Sequence, residues 1–132
     1  MRILVDTSAI YALMDANDRN HEPAKKAWKE WLDQPVQLAA SNYVLLESLA
    51  LIQHRLGLQA AREFQEEFTP VLQVHWVNAE VHMAAFRMVM AVGQRDFTLV
   101  DASNVELMHQ LDARAIFAFD HHYPERGLDQ RP

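Results

Sequence analysis

Apolar positions along the chain follow two rhythms. Ile3-Leu4-Val5 near the start and Ala115 to Phe119 near the end are short runs of the length and side-chain type found in buried strands. Between them the apolar residues recur every three or four positions, the helical period. A helix is predicted from Thr7 or Ser8 to Met14, and the polar run Asp15 to Asn20 reads as a loop. From His21 to Asp33, residues Ala24, Ala27, Trp28, Trp31 and Leu32 make one stripe, with Lys25, Lys26, Lys29 and Glu30 between them. That stripe places both tryptophans in the core rather than on a base-stacking surface. Pro35 lies past this helix, and Val36 to Ala40 is a second strand or extended connection. The largely apolar stretch Asn42 to Leu56 predicts a buried helix, with Leu45, Leu49, Ile52 and Leu56 inward and Gly57 suited to its C′ position. A helix from Gln59 to Phe68 precedes Pro70, and Val71 to Val77 reads as a strand. Asn78 or Ala79 opens a helix to Val92 with Val81, Ala84, Ala85, Met88 and Val92 inward, and Gly93 ends it. Thr98 to Asp112 supplies the last long helix, and the strand ending at Phe119 runs into Asp120 and a polar tail.

Strands separated by helices need crossover connections, which cover both faces of a parallel sheet. The expected fold is α/β: a three-layer sandwich with a central, mostly parallel sheet of four or five strands flanked by helices, over a single domain spanning 1–132.

Composition narrows the class. Half of the residues are hydrophobic, which for 132 residues suffices for a core without staples. The absence of cysteine excludes disulfides, thiolate nucleophiles and cysteine zinc sites. Asp6 cuts the first apolar run far too early for a signal-peptide core, and no stretch approaches the ~20 apolar residues of a membrane span. A soluble, cytoplasmic protein is expected. The net charge of −6 argues against generic nucleic-acid binding, which depends on Lys and Arg at phosphates. Setting aside four carboxylates with a special role leaves −2, and bound divalent cations offset more.

Those carboxylates are Asp6, Glu47, Asp101 and Asp120. In a parallel sheet, ligands collect beyond the carboxyl ends of the strands. Asp6 and Asp120 both stand there, and they meet if their strands are neighbours. Taken singly, each is more simply read as a cap for the turn or helix that follows. Glu47 lies within Tyr-Val-Leu-Leu-Glu-Ser-Leu-Ala-Leu-Ile, with no Lys or Arg three or four residues away to pair with it. It either faces solvent, pairs with a distant Arg, or belongs to a site. Asp101 sits three residues after Thr98, a capping pair that is also compatible with holding a metal from the first helical turn. Asp96 is a weaker candidate for the same cleft. The histidines are scattered, and adjacent His121 and His122 are expected to point apart. Arg19, Lys25, Lys26, Lys29 and Arg95 are available to steer a polyanion, although for most of them a solvated surface is the simpler expectation.

Val-Asp-Thr-Ser-Ala at 5–9, Leu-Leu-Glu at 45–47, Phe-Thr-Leu-Val-Asp-Ala at 97–102 and Ala-Phe-Asp-His-His-Tyr at 118–123 together resemble the PIN-domain family, in particular the VapC-type toxins of bacterial toxin-antitoxin pairs. The resemblance spans nearly the whole chain in matching order and spacing. It implies that Asp6, Glu47, Asp101 and Asp120 are the acidic quartet around Mg²⁺ or Mn²⁺, with Thr7 or Ser8 supporting the first acid. It further implies an RNA substrate hydrolysed to 5′-phosphate and 3′-hydroxyl ends, a homodimer, and a small antitoxin partner. Oxygen-only ligands suit these cations, which relieve the repulsion among clustered carboxylates. Two rivals remain: a non-catalytic PIN-like scaffold that binds RNA or antitoxin, and a haloacid-dehalogenase-like phosphatase. The latter's Asp-x-Asp signature is broken here by Thr7-Ser8 after Asp6.

Overall fold

The computed structural model describes all 132 residues. Its centre is a five-stranded sheet in which every adjacent pair is parallel. The strands are β1 (Arg2–Val5), β2 (Gln37–Ser41), β3 (Gln73–His75), β4 (Ala115–Phe117) and β5 (Gln130–Arg131), in spatial order β3-β2-β1-β4-β5. β1 is thus central, and its neighbours come from distant parts of the chain.

Side chains of successive strand residues point to opposite faces, and the core divides accordingly. Ile3, Val5, Leu38, Ala40, Ala115 and Phe117 join one cluster. Leu4, Ala39, Ile116 and Ala118 join the other. The first face is covered by α1 (Thr7–Met14), α2 (His21–Leu32), α3 (Asn42–Leu56) and α4 (Leu58–Glu63). The second carries α5 (Ala79–Val92) and α6 (Leu99–Gln110). Trp31 is buried edge-on to Phe117 with ring centroids 4.8 Å apart, and Trp28 packs on Phe68, so both tryptophans serve the core as expected. No helix is long and apolar enough to cross a membrane.

Four expectations need correction. The tail after Asp120 is not irregular: it forms α7 (His122–Glu125) and returns as β5 beside β4. Two polar residues at a sheet edge carry no hydrophobic signature, so β5 was invisible. α3 is only half buried. Val44, Ser48 and Ile52 face inward while Leu46 is 71% exposed, because a helix lying on a sheet hides one stripe however apolar its remainder. The Val71–Val77 strand shrinks to Gln73–His75, because Thr69–Val71 closes into a 3₁₀ turn around Pro70. Finally, His121 and His122 do not diverge. They lie in a helical turn, where neighbours project about 100° apart, and their ring centroids are 4.1 Å apart.

Candidate active site

The first acid is placed by sheet pairing. β1 and β4 run side by side, the Asp6 N–H donates to the Phe117 carbonyl (2.9 Å), and Asp6 leaves the sheet where β4 leads toward Asp120. Asp6 is also the N-cap of α1, so the capping reading holds for it as well: its Oδ2 accepts from the Ser8 N–H (3.1 Å) and the Ser8 hydroxyl (2.6 Å). Its Oδ1 accepts from Asn104 Nδ2 and from the Tyr123 hydroxyl, both at 2.9 Å. Asp6 as a whole is only 3% exposed. Burial outweighs these donors and pushes its pKa from 3.8 up to about 6, with the Asp101 charge adding to the rise.

Asp101 occupies the third position of α6 and completes the capping box predicted from Thr98. Its Oδ2 accepts the Thr98 N–H at 2.9 Å, and its own N–H donates to the Thr98 hydroxyl at 3.2 Å. The other oxygen points at the Tyr123 hydroxyl, 3.3 Å away. Cap and cleft are thus one geometry, because the first turn of α6 faces the strand ends. Burial raises the Asp101 pKa, the Thr98 backbone hydrogen bond opposes that, and Asp120 raises it further.

Asp120 follows β4 and accepts the His122 N–H at 2.8 Å, a local turn cap. One carboxylate oxygen of each of Asp101 and Asp120 and one ring nitrogen of His122 lie within 4.8 Å of one another, close enough to share a cation. Glu47 projects from α3 at the rim and its side chain reaches solvent. The cleft walls still remove enough water to raise its pKa, and repulsion from Asp101 and Asp120 adds to the shift. The Thr7 hydroxyl is close enough to oppose that rise, yet it falls short of hydrogen-bond geometry and remains buried without a partner. The structure therefore brings all four acids toward one cleft, from β1, α3, α6 and the loop after β4. The donor set is oxygen-rich and mutually repelling, which fits a hard divalent cation.

A PIN-domain family model matches residues 3–127. The chain belongs to the PIN-domain family. It is 30% identical, over 98% of its own length and 98% of the relative's, to the 23S rRNA-specific endonuclease VapC20 of Mycobacterium tuberculosis. The crystal structure of that protein, described as a sarcin-ricin loop cleaving toxin, superposes with a TM-score of 0.86 over 98% of this chain and 99% of that one. The VapBC2 structure from Rickettsia felis, bound to a promoter DNA fragment, shares the PIN fold at a TM-score of 0.69 and 12% identity, covering 99% of this chain and 98% of that one.

Around the quartet of this PIN domain stand three residues that sequence reasoning did not select. Asn104 and Tyr123 are fully buried against Asp6, and buried His122 hydrogen-bonds the Asp96 carbonyl through Nε2 (3.0 Å). Asn104 gave one signal: it follows Asp101 by three positions, on the same helical face, among the apolar residues Ala102, Val105 and Leu107. Tyr123 closes the 118–123 motif, but a polar tail too short to show a period gives no sign of its burial against Asp6. Burial, reinforced by Asp6 and Asp101, holds the Tyr123 pKa well above 10.0, so it is a permanent donor. Asp96 is exposed and faces His121 (3.6 Å) and His122 (3.7 Å) rather than the carboxylates. Ser8, rather than Thr7, supports the first acid. Arg19, Lys25, Lys26, Lys29 and Arg95 are all exposed, as a solvated surface requires.

Proposed function

We propose that this PIN domain is a metal-dependent ribonuclease acting as the toxin of a toxin-antitoxin pair, with Asp6, Glu47, Asp101 and Asp120 as its catalytic, metal-binding residues. The observation that carries the reading is the convergence of these four carboxylates, 114 positions apart at their extremes, at one end of a parallel sheet: Asp101 lies beside Asp120, Asp6 shares the Tyr123 hydroxyl with Asp101, and Glu47 feels the charge of Asp101 and Asp120. These four residues would hold Mg²⁺ or Mn²⁺, which when bound would supply an activated water and charge neutralisation for hydrolysis of a phosphodiester. Asp6 and Asp101 form the buried floor, fixed by Ser8, Asn104, Tyr123 and Thr98. Glu47 and Asp120 form the more open side, the side from which a phosphate would approach. Likeness to a 23S rRNA-specific endonuclease makes a structured ribosomal RNA loop the substrate to test first. The same reading implies a small antitoxin, a homodimer and a cytoplasmic site of action.

The test is cleavage of a sarcin-ricin-loop RNA by purified protein in Mn²⁺ and in EDTA. Cleavage in Mn²⁺, lost in EDTA and in Asp6→Asn or Asp101→Asn, supports the assignment. Undiminished cleavage by either purified variant defeats it. Cleavage that persists in EDTA and depends on histidine instead identifies a metal-free ribonuclease.

A further inference from the structure

Asp6 has no free lone pair. A carboxylate offers about four acceptor positions, and Asp6 receives four hydrogen bonds: Ser8 N–H and Ser8 O–H on Oδ2, Asn104 Nδ2 and Tyr123 O–H on Oδ1. If Asp6 is to ligate a cation, one of these donors must yield. Ser8 N–H is fixed by the α1 N-cap. The Ser8 hydroxyl is held from its other side by the Phe119 N–H at 3.0 Å. The Asn104 amide lies in a fully buried pocket where its remaining contact is the Tyr123 oxygen, at 2.9 Å. Only for Tyr123 do these contacts give an alternative acceptor for the same proton, Asp101 Oδ1 at 3.3 Å, on a carboxylate with positions to spare.

We propose that Tyr123 is a positioning residue with a movable hydrogen bond: its hydroxyl fills the cation-binding lone pair of Asp6 in the metal-free protein and turns to Asp101 when Asp6 takes a cation. Because one hydroxyl already lies between both oxygens, a rotation about the C–O bond redirects the proton to Asp101, and a shift of the phenol oxygen away from Asp6 makes room for the cation. Tyr123 thereby holds two repelling acids together while no cation is present, and its departure from Asp6 is part of the cost of loading the site. The proposal rests on the four-carboxylate reading and adds a claim that reading does not contain.

Two measurements on the full chain test it. The protein has three tyrosines, Tyr11, Tyr43 and Tyr123, so labelling tyrosine with ¹³C at Cζ gives three resonances, assigned by replacing each in turn with Phe. Titration with Mg²⁺ is expected to shift the Tyr123 resonance and leave Tyr11 in place. Calorimetry is expected to show Tyr123→Phe binding Mn²⁺ about three- to tenfold more tightly than the unsubstituted chain, with a lower metal-free Tm. Mere structural support predicts the opposite sign, since removing a group that orients a ligand weakens binding. An unmoved Tyr123 resonance, or equal or weaker Mn²⁺ binding by the variant, overturns the proposal while leaving the metal site standing. No calorimetric binding by the unsubstituted chain overturns both. Should Tyr123→Phe fail to fold, the resonance, assigned by Tyr11→Phe and Tyr43→Phe, decides alone.

Discussion

Asp6 is a liability to the metal-free fold, and its pH dependence has a definite sign. Its pKa rises from 3.8 in the exposed chain to about 6 on folding, so between those values the folded state binds more protons than the unfolded one. The stability this contributes is present below about pH 4 and is lost as pH rises through 6, a difference of about 3 kcal/mol. Asp6→Asn removes the charge. The Ser8 donors keep an acceptor, and the new amide, which would face Asn104 Nδ2, gains an acceptor once the Asn104 amide flips to present its carbonyl oxygen, now buried without a partner. In EDTA, urea denaturation is therefore expected to show the unsubstituted chain losing stability from pH 4 to pH 7 and Asp6→Asn losing less, so that the inactive variant is the more stable protein at pH 7. Glu47 and Asp101, also raised, shift the same way and leave a residual slope in the variant. Equal slopes in the two proteins would refute the burial argument. Of the four acids, Glu47 was the most legible in sequence, because its own helix offers it no partner. Asp101 was the least separable from a plain cap, since it is one.

Helix α6 lets cap and chemistry be pulled apart. The Thr98 hydroxyl accepts from the Asp101 N–H, whereas the Asp101 carboxylate accepts from the Thr98 backbone, which any residue supplies. Thr98→Ala is expected to cost about 1 kcal/mol of stability while preserving most RNA cleavage. Asp101→Asn is expected to abolish cleavage. Loss of activity in both would show that the hydroxyl does more than cap. The α3–α4 junction turns at Gly57, with φ 95° and ψ 176° and open space where a Cβ would stand. Gly57→Ala should cost about 1–3 kcal/mol through backbone strain alone, read as a lower urea midpoint. The helices were legible because their apolar stripes are long. α7 is four residues, too short to show a period, and Tyr123 was hidden with it.

Across the whole molecule, stability and loading are linked. A ligand bound only by the folded state stabilises it by about 2.7 kcal/mol at a hundredfold excess over its Kd, or on the order of 10 °C in Tm for a chain this size. Mn²⁺ is expected to raise the Tm by this order, and Asp6→Asn to abolish most of the shift. No shift at saturating Mn²⁺ would count against a preformed site. The parallel sheet and the meeting of Asp6 with the end of β4 were legible, because buried strands flanked by helices leave few topologies open. The fifth strand was not, since its pairing rests on backbone groups that every residue has.

That fifth strand matters for Asp120. The Ile116 N–H binds the Asp129 carbonyl (2.9 Å) and the Ala118 N–H binds that of Arg131 (3.2 Å), so the segment bearing Asp120 is stitched to the sheet at both of its ends. It behaves as a clasp rather than a trailing thread. Trimming residues 128–132 would remove the clasp and let one carboxylate of the cleft drift, while β1, β2 and the helices kept their packing.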